Sequence, residues 1–251
     1  MTDSLSVAVA VKKPVSVLGA GFMMSREVKA LCERTGLGAR AMYFRGRCGV
    51  LGDVDADVVT ASMVFFPADG VRSAWEEGAS LPAAEAAAGY AWACQEWGRR
   101  NYGAFPDAER LAELVGIVVN NADVVGVPLF AGWRAMPLPD DPPARLAQLM
   151  HTLRELRGGL HAVAVVSSGL APLLATLSAY HEGAPAGHRE GTAMAHFAGW
   201  PEPYPDVTPD VLALRAKVEE LTGTLMAPAF DALDAKEAAE LMDILGRIPI
   251  S

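Results

Sequence analysis

Pro82-Ala-Ala-Glu-Ala-Ala-Ala-Gly-Tyr90-Ala-Trp92-Ala-Cys94-Gln-Glu-Trp97-Gly-Arg-Arg-Asn101, followed shortly by Asp107-Ala-Glu-Arg-Leu111-Ala-Glu-Leu114-Val115-Gly-Ile-Val118-Val119-Asn-Asn121-Ala-Asp-Val-Val-Gly126, decides the fold class. The first stretch is built on Ala, which loses least on entering a helix. The second repeats Leu111, Leu114, Val115, Val118 and Val119 at the spacing of one helical face. Two long helices in succession, in a chain with few aromatics, predict a mainly α, multi-helical protein with little or no β-structure.

Outward from this pair the pattern stays helical. Ser25 is placed to cap a helix carrying Val28, Leu31 and Cys32, with Gly36 at its end. Residues 39–52 read as a helix closed by Gly52. Pro67 starts a short helix through Trp75 to Gly78. Pro137, Pro139, Pro142 and Pro143 mark the main internal joint. Beyond it a helix runs over about 142–157, where Gly158-Gly159 interrupts it. Pro172 opens another helix over 172–182. Residues 183–209 are rich in Gly and Pro and read as loop. Two helices, about 209–226 and 234–246, close the chain around Pro228. The expected division is a flexible arm over 1–14, a helical N-terminal half over 15–136, and a C-terminal half over 137–251 joined intimately to it.

Bulk properties narrow the classes of function. The 251 residues are 51% hydrophobic and carry a net charge of -9. Such an acidic chain repels phosphate backbones unless its cations share one face, and no Lys/Arg run exceeds two residues. The expectation is therefore no nucleic-acid partner and no membrane surface. No apolar run approaches the roughly 20 residues of a membrane span, and residues 1–11 lack the features of a secretory signal. Cytoplasmic localisation follows as an expectation. Cys32, Cys48 and Cys94 are far apart, match no zinc spacing and read as three buried thiols.

Val15-Ser-Val-Leu-Gly19-Ala-Gly21 resembles the start of a dinucleotide-binding turn. The third glycine position is Met24, however, and no strand ending in an acid follows. The segment reads as a turn before a helix, and no cofactor is expected.

The best candidate for chemistry lies in His151–His161. Arg154, Arg157 and His161 fall at i, i+3 and i+7, one stripe of a helix. His151 and Glu155 form an i,i+4 pair on the adjoining stripe. Leu149, Met150, Leu153, Leu160 and Val163 surround these polar groups with apolar ones. In a catalytic reading His161, Glu155 and Arg157 move protons and stabilise charge. Arg154, Arg47, Tyr43 and His151 then hold the substrate. The alternative is an internal ion-pair network in which Glu155 satisfies Arg154 or an arginine of the 43–52 stretch. Arg45 and Arg47 carry the same two readings. No metal site is expected.

Three stretches resemble one known family: Tyr43-Phe-Arg-Gly-Arg-Cys-Gly-Val-Leu-Gly52, Leu153-Arg-Glu-Leu-Arg-Gly-Gly-Leu-His161 and Glu219-Glu-Leu-Thr-Gly-Thr-Leu-Met-Ala-Pro228. They are similar to an actinobacterial family described as helix-turn-helix or SalK-like. The resemblance implies a helical N-terminal half and a winged-helix-like C-terminal half, with members in natural-product gene clusters. Two positions of the second stretch depart from the family pattern, Leu156 and Gly159. The region that would form the wing, Gly183 to Pro209, is short and proline-rich. The segment in the place of a recognition helix, Pro172 to His181, has no Arg, Lys, Asn or Gln, the side chains that read base edges. The resulting expectation is a degenerate winged helix. Its first functional reading is a cofactor-independent biosynthetic enzyme (a cyclase, isomerase or lyase) acting on a small, largely apolar metabolite. The alternatives are a non-catalytic small-molecule sensor and a transcriptional regulator of winged-helix ancestry. The apolar stripes of the two terminal helices, Val211, Leu214, Val218, Leu221 and Leu225, then Leu241, Ile244 and Leu245, are compatible with a homodimer or with packing within one chain.

Overall fold

The computed structural model describes residues 3–179 and 191–248. Among these residues it holds fourteen α-helices, three short 3-10 turns and no strand. The order is α1 (Ser4–Ala10), α2 (Lys12–Ala20), α3 (Arg26–Thr35), α4 (Ala39–Cys48), α5 (Ala56–Ser62), α6 (Ala68–Glu77) and α7 (Ala83–Tyr102). Then follow α8 (Ala108–Asn121), α9 (Pro128–Arg134), α10 (Pro142–Ser168), α11 (Pro172–Ser178), α12 (Gly191–Ala198), α13 (Pro209–Met226) and α14 (Ala235–Arg247). The mainly α expectation holds.

Local chemistry sets many of the boundaries. The Ser25 side chain accepts the Val28 N–H at the start of α3, and Gly36 ends that helix at φ 72°. Thr208 caps α13 in the same way. Asp234 and Glu237 form a complete capping box on α14.

Helix α10 is the axis of the molecule. Its 27 residues span about 40 Å. It packs on α2, α7, α8 and α9 from the N-terminal half and on α13 from the C-terminal half. Leu146, Met150 and Leu153 meet the buried faces of α7 and α8, which include Tyr90, Cys94, Leu111, Leu114 and Val118. A smaller apolar cluster joins Ala164 and Val165 of α10 to Leu170, Ala175 and Val218.

The structure corrects three local expectations. Residues 4–14 are not a loose arm: they form α1 and the start of α2, with Val7, Val11 and Val15 buried in the main core. Pro14 is tolerated because it lies in the first turn of α2, where N–H groups have no intrahelical partner. Gly158-Gly159 does not interrupt α10. A Cβ on Gly159 would come within 2.7 Å of the Val127 side chain, so the missing side chain lets the α9 region pack against an unbroken helix. Helix α12 occupies part of the segment expected to be loop, with Ala195 and Ala198 buried. Residues 180–190, which take in the end of the helix expected over 172–182, the first part of the expected loop, His181 and His188, lie outside the described residues.

The C-terminal stripe of α14 is used within the chain. Leu241, Ile244 and Leu245 are buried in the main core, with α8 and α1 as neighbours. No single helix among the described residues is long and apolar enough to cross a membrane.

A cavity with two ion-pair clusters

Because α10 is continuous, its two polar stripes stay in register to His161. They form two clusters along one wall of a cavity of about 570 Å³, within the usual size range of small-molecule sites. Helices α2, α4, α10, α11, α12 and α13 all contribute to its lining, together with Met63, Phe65 and Phe66 after α5.

The first cluster centres on Glu155. Arg47 of α4 donates from Nε and Nη2 to the two Glu155 carboxylate oxygens, both at 2.9 Å. Arg154 Nη1 adds a third bond to Oε1 at 2.9 Å. Arg47 Nη1 donates to the Tyr43 hydroxyl at 2.6 Å. Burial alone would raise the Glu155 pKa, but the Arg47 and Arg154 charges outweigh it and hold the carboxyl at about 2. Glu155 is therefore a committed anion with little basicity.

His151 stands behind this cluster and does not line the cavity. Its ring packs among Phe22, Tyr90 and Trp133. Its Nδ1 lies 3.2 Å from the Gly19 carbonyl, which can only accept, so Nδ1 carries the proton. Burial pushes its pKa down to about 4, with Glu155 offsetting part of the effect. The expected substrate contact by His151 is thus corrected: the residue is a neutral core group. Gly19 permits this arrangement, since a Cβ there would meet Arg154 Cβ and the Met150 carbonyl oxygen, each at 2.6 Å. The glycine that suggested a nucleotide turn is a close helix contact.

The second cluster centres on Glu219 of α13. Arg157 Nη2 donates to Glu219 Oε2 at 2.9 Å. Arg215 and Lys12 pair with the same carboxylate. Burial raises the Glu219 pKa, yet Arg215, Lys12 and Arg157 bring it to about 2. His161 Nδ1 lies 2.9 Å from the Thr222 hydroxyl. That hydroxyl spends its proton on the Val218 carbonyl at 2.7 Å, so it accepts from His161. The ring stacks on Phe65 with centroids 5.4 Å apart. Burial, only partly offset by Glu219, takes the His161 pKa down to about 3.

Tyr43, Arg47, Arg154 and Glu155 therefore share one cluster, while Arg157 and His161 belong to the other. Arg45 joins neither: it donates to the Leu81 carbonyl at 2.7 Å, pairs with Asp53 and lies over Trp75. Sequence reasoning missed Glu219, Arg215, Lys12 and Phe65 as members of the site. The i,i+4 pair Arg215–Glu219 was the available signal for two of them. Arg157 and Glu219 are 62 residues apart, and nothing local joins them.

A second geometric feature adjoins the cavity. Helices α10 and α11 meet with a bend of 115°. The turn between them, residues 169–171, is opened by Gly169 at φ 75°. Two helices at 90–120° joined by a three- or four-residue turn containing glycine have the geometry of a helix-turn-helix unit. Ala175 and Thr176 of its second helix stand in the cavity wall.

Fold and site together define a protein that is helical throughout its described residues apart from turns, in which a helix pair of this geometry borders a small-molecule-sized cavity. Residues 8–249 match the helix-turn-helix family, and the chain belongs to that family. No curated protein and no solved structure matches the chain.

Family membership overturns two expectations. The first is the cofactor-free cyclase, isomerase or lyase: helix-turn-helix membership points to a regulator. The site offers a physical reason as well, because Glu155 and Glu219 are locked in ion pairs and His161 titrates near 3. Proton transfer near neutrality wants groups with a pKa close to the working pH. The second is the absence of a nucleic-acid partner, since a helix-turn-helix is a DNA-binding architecture. Net charge and the composition of one helix were too coarse a basis for that exclusion.

Proposed function

We propose that this chain is a ligand-responsive regulator in which a small molecule in the cavity sets the helix-turn-helix unit. One observation carries the reading: the cavity wall contains both helices of that unit, with Arg157 and His161 on α10 and Ala175 and Thr176 on α11. A ligand filling the cavity touches both, so it favours one setting of the pair over another by its differential contacts. The polar clusters act as binding groups rather than as acids and bases.

The likeness to SalK-like actinobacterial proteins supports a winged-helix ancestry with a shortened wing, since residues 199–208 contain no strand. Cytoplasmic residence belongs to the same reading. Helix α11 reads Pro172-Leu-Leu-Ala-Thr-Leu-Ser178, with no side chain suited to bidentate contact with a base. The reading therefore expects weak sequence preference from α11 and a salt-sensitive complex.

Fluorescence anisotropy of a labelled random-sequence duplex tests the DNA half. Binding should be present at about 50 mM salt and fall steeply towards about 200 mM. No binding at the lower salt refutes the regulatory reading.

A further inference from the structure

The charges around the cavity do not balance. Lys12, Arg47, Arg154, Arg157 and Arg215 line it, with Glu155 and Glu219 the only carboxylates among the described lining residues. The wall thus carries an excess of three positive charges, in a chain whose net charge is -9. Concentrating uncompensated cations in a recess is costly unless an anion joins them.

The guanidiniums also have donors to spare. Each offers five N–H groups. Among the described residues Arg154 donates only to Glu155, Arg157 only to Glu219 and Arg215 only to Glu219. Arg215 Nε is buried with no partner. Burial lowers the Arg157 pKa; Glu219 offsets part of this, while Arg215 and Arg154 lower it further. The side chains of Arg154, Arg157 and Arg215 are 25%, 15% and 14% exposed, too recessed to lie along a duplex backbone. Much of the rest of the wall is apolar, with Met63, Phe65, Phe66 and Leu129 prominent.

We infer that the cavity takes a small organic anion, its oxyanion head held by Arg154, Arg157 and Arg215 and its apolar body against Phe65, Phe66 and Leu129. This inference rests on the reading of the cavity as the effector site and adds the chemical class of the effector. Carboxylate, sulfonate and phosphate-ester heads share the required chemistry, since each accepts several charge-assisted hydrogen bonds.

The test uses two fluorescent probes of one ring system: 8-anilinonaphthalene-1-sulfonate, an anion, and N-phenyl-1-naphthylamine, its uncharged counterpart. The sulfonate should bind saturably at one site. Arg154→Gln and Arg157→Gln should each weaken it about tenfold to a hundredfold, with the neutral probe changed no more than about twofold. Glu219→Gln removes a competing anion and should raise the ratio of sulfonate to neutral affinity, a direction that loss of folding would not produce. Circular dichroism of every variant accompanies the titrations. Equal binding of both probes, with a ratio that none of the variants moves, overturns the anion inference and leaves an apolar effector pocket. Failure of both probes to bind saturably overturns the effector-site reading itself.

Discussion

Replacing Glu155 by Leu removes the one carboxylate that faces Arg47 while keeping a side chain of similar volume. In the parent protein the Glu155 side chain is 1% exposed and that of Arg47 10%, and two 2.9 Å bonds join them. Deleting one partner of such a buried pair strands the other charge and costs about 3–5 kcal/mol. With an unfolding entropy of about 2.1 cal/mol/K per residue, 251 residues give about 0.5 kcal/mol/K. The melting temperature should therefore fall by about 6–10 °C. Adding Arg47→Met to the same chain removes the stranded cation and should recover most of that loss, because buried pairs often exchange for apolar groups at little cost. Arg154→Gln should cost less than about 1 kcal/mol, since Arg154 is partly solvated and Arg47 still covers the carboxylate. Thermal melts by circular dichroism measure all three. A Glu155→Leu variant that melts with the parent, or a double variant worse than the single, would refute the assignment of this cluster as a structural tie between α4 and α10.

Acid should weaken the fold from pH 6.5 downward. His161 and His151, held near 3 and 4, stay neutral in the native state while an unfolded chain takes up protons near 6.5. Their stabilisation is complete above 6.5 and is lost at up to about 1.4 kcal/mol per pH unit each as pH falls; a melting temperature unchanged between pH 7 and pH 5 would contradict this. Glu155 and Glu219, held at about 2 against an ordinary 4.5, add a further loss below 4.5. The adjacent glycines of α10 should respond oppositely to alanine. Gly158→Ala enters open space and should stabilise by about 0.5–1 kcal/mol, whereas Gly159→Ala meets Val127 and should destabilise by about 1–3 kcal/mol; equal effects in a melt would show the contact to be soft. Among the cysteines Cys32 should react with a thiol reagent in the native state. Cys48, pushed up to about 12 by burial, and the fully buried Cys94 should react only on unfolding.

The helical class was legible because Ala-rich and Leu/Val-periodic stretches leave few other choices. Ser25, Gly36, Gly52 and Pro172 marked boundaries through requirements that act within a few residues. Gly158-Gly159 misled because helix propensity describes an isolated helix, while α10 is held on several sides by α2, α7, α8 and α13. The start of the chain misled differently. Val7, Val11, Val15 and Leu18 recur at helical spacing, but Pro14 obscured the pattern until its first-turn position was known. At the site, the α10 stripes were legible from spacing alone, and so was the possibility that Arg47 meets Glu155. Which carboxylate would answer Arg157 was not legible, because that depends on how α13 docks. Nor could spacing place His151 behind the cavity: its position follows from Gly19, Phe22 and Trp133, contributed by two segments far apart in the chain.

Glu219 belongs to the chain, so Lys12, Arg157 and Arg215 meet it at an effective concentration that dilution cannot lower, on the order of millimolar for tethered groups. Every free anion that enters the cavity competes with this internal one. A small monovalent ion such as chloride brings neither an apolar body nor a second charge and loses that contest. On the proposed anion-binding reading, the carboxylate sets a threshold that simple anions do not pass. On the proposed effector reading, an anion that wins the cations also frees the Glu219 carboxylate, and α13 loses its ion pairs to α2 and α10 as the cavity fills.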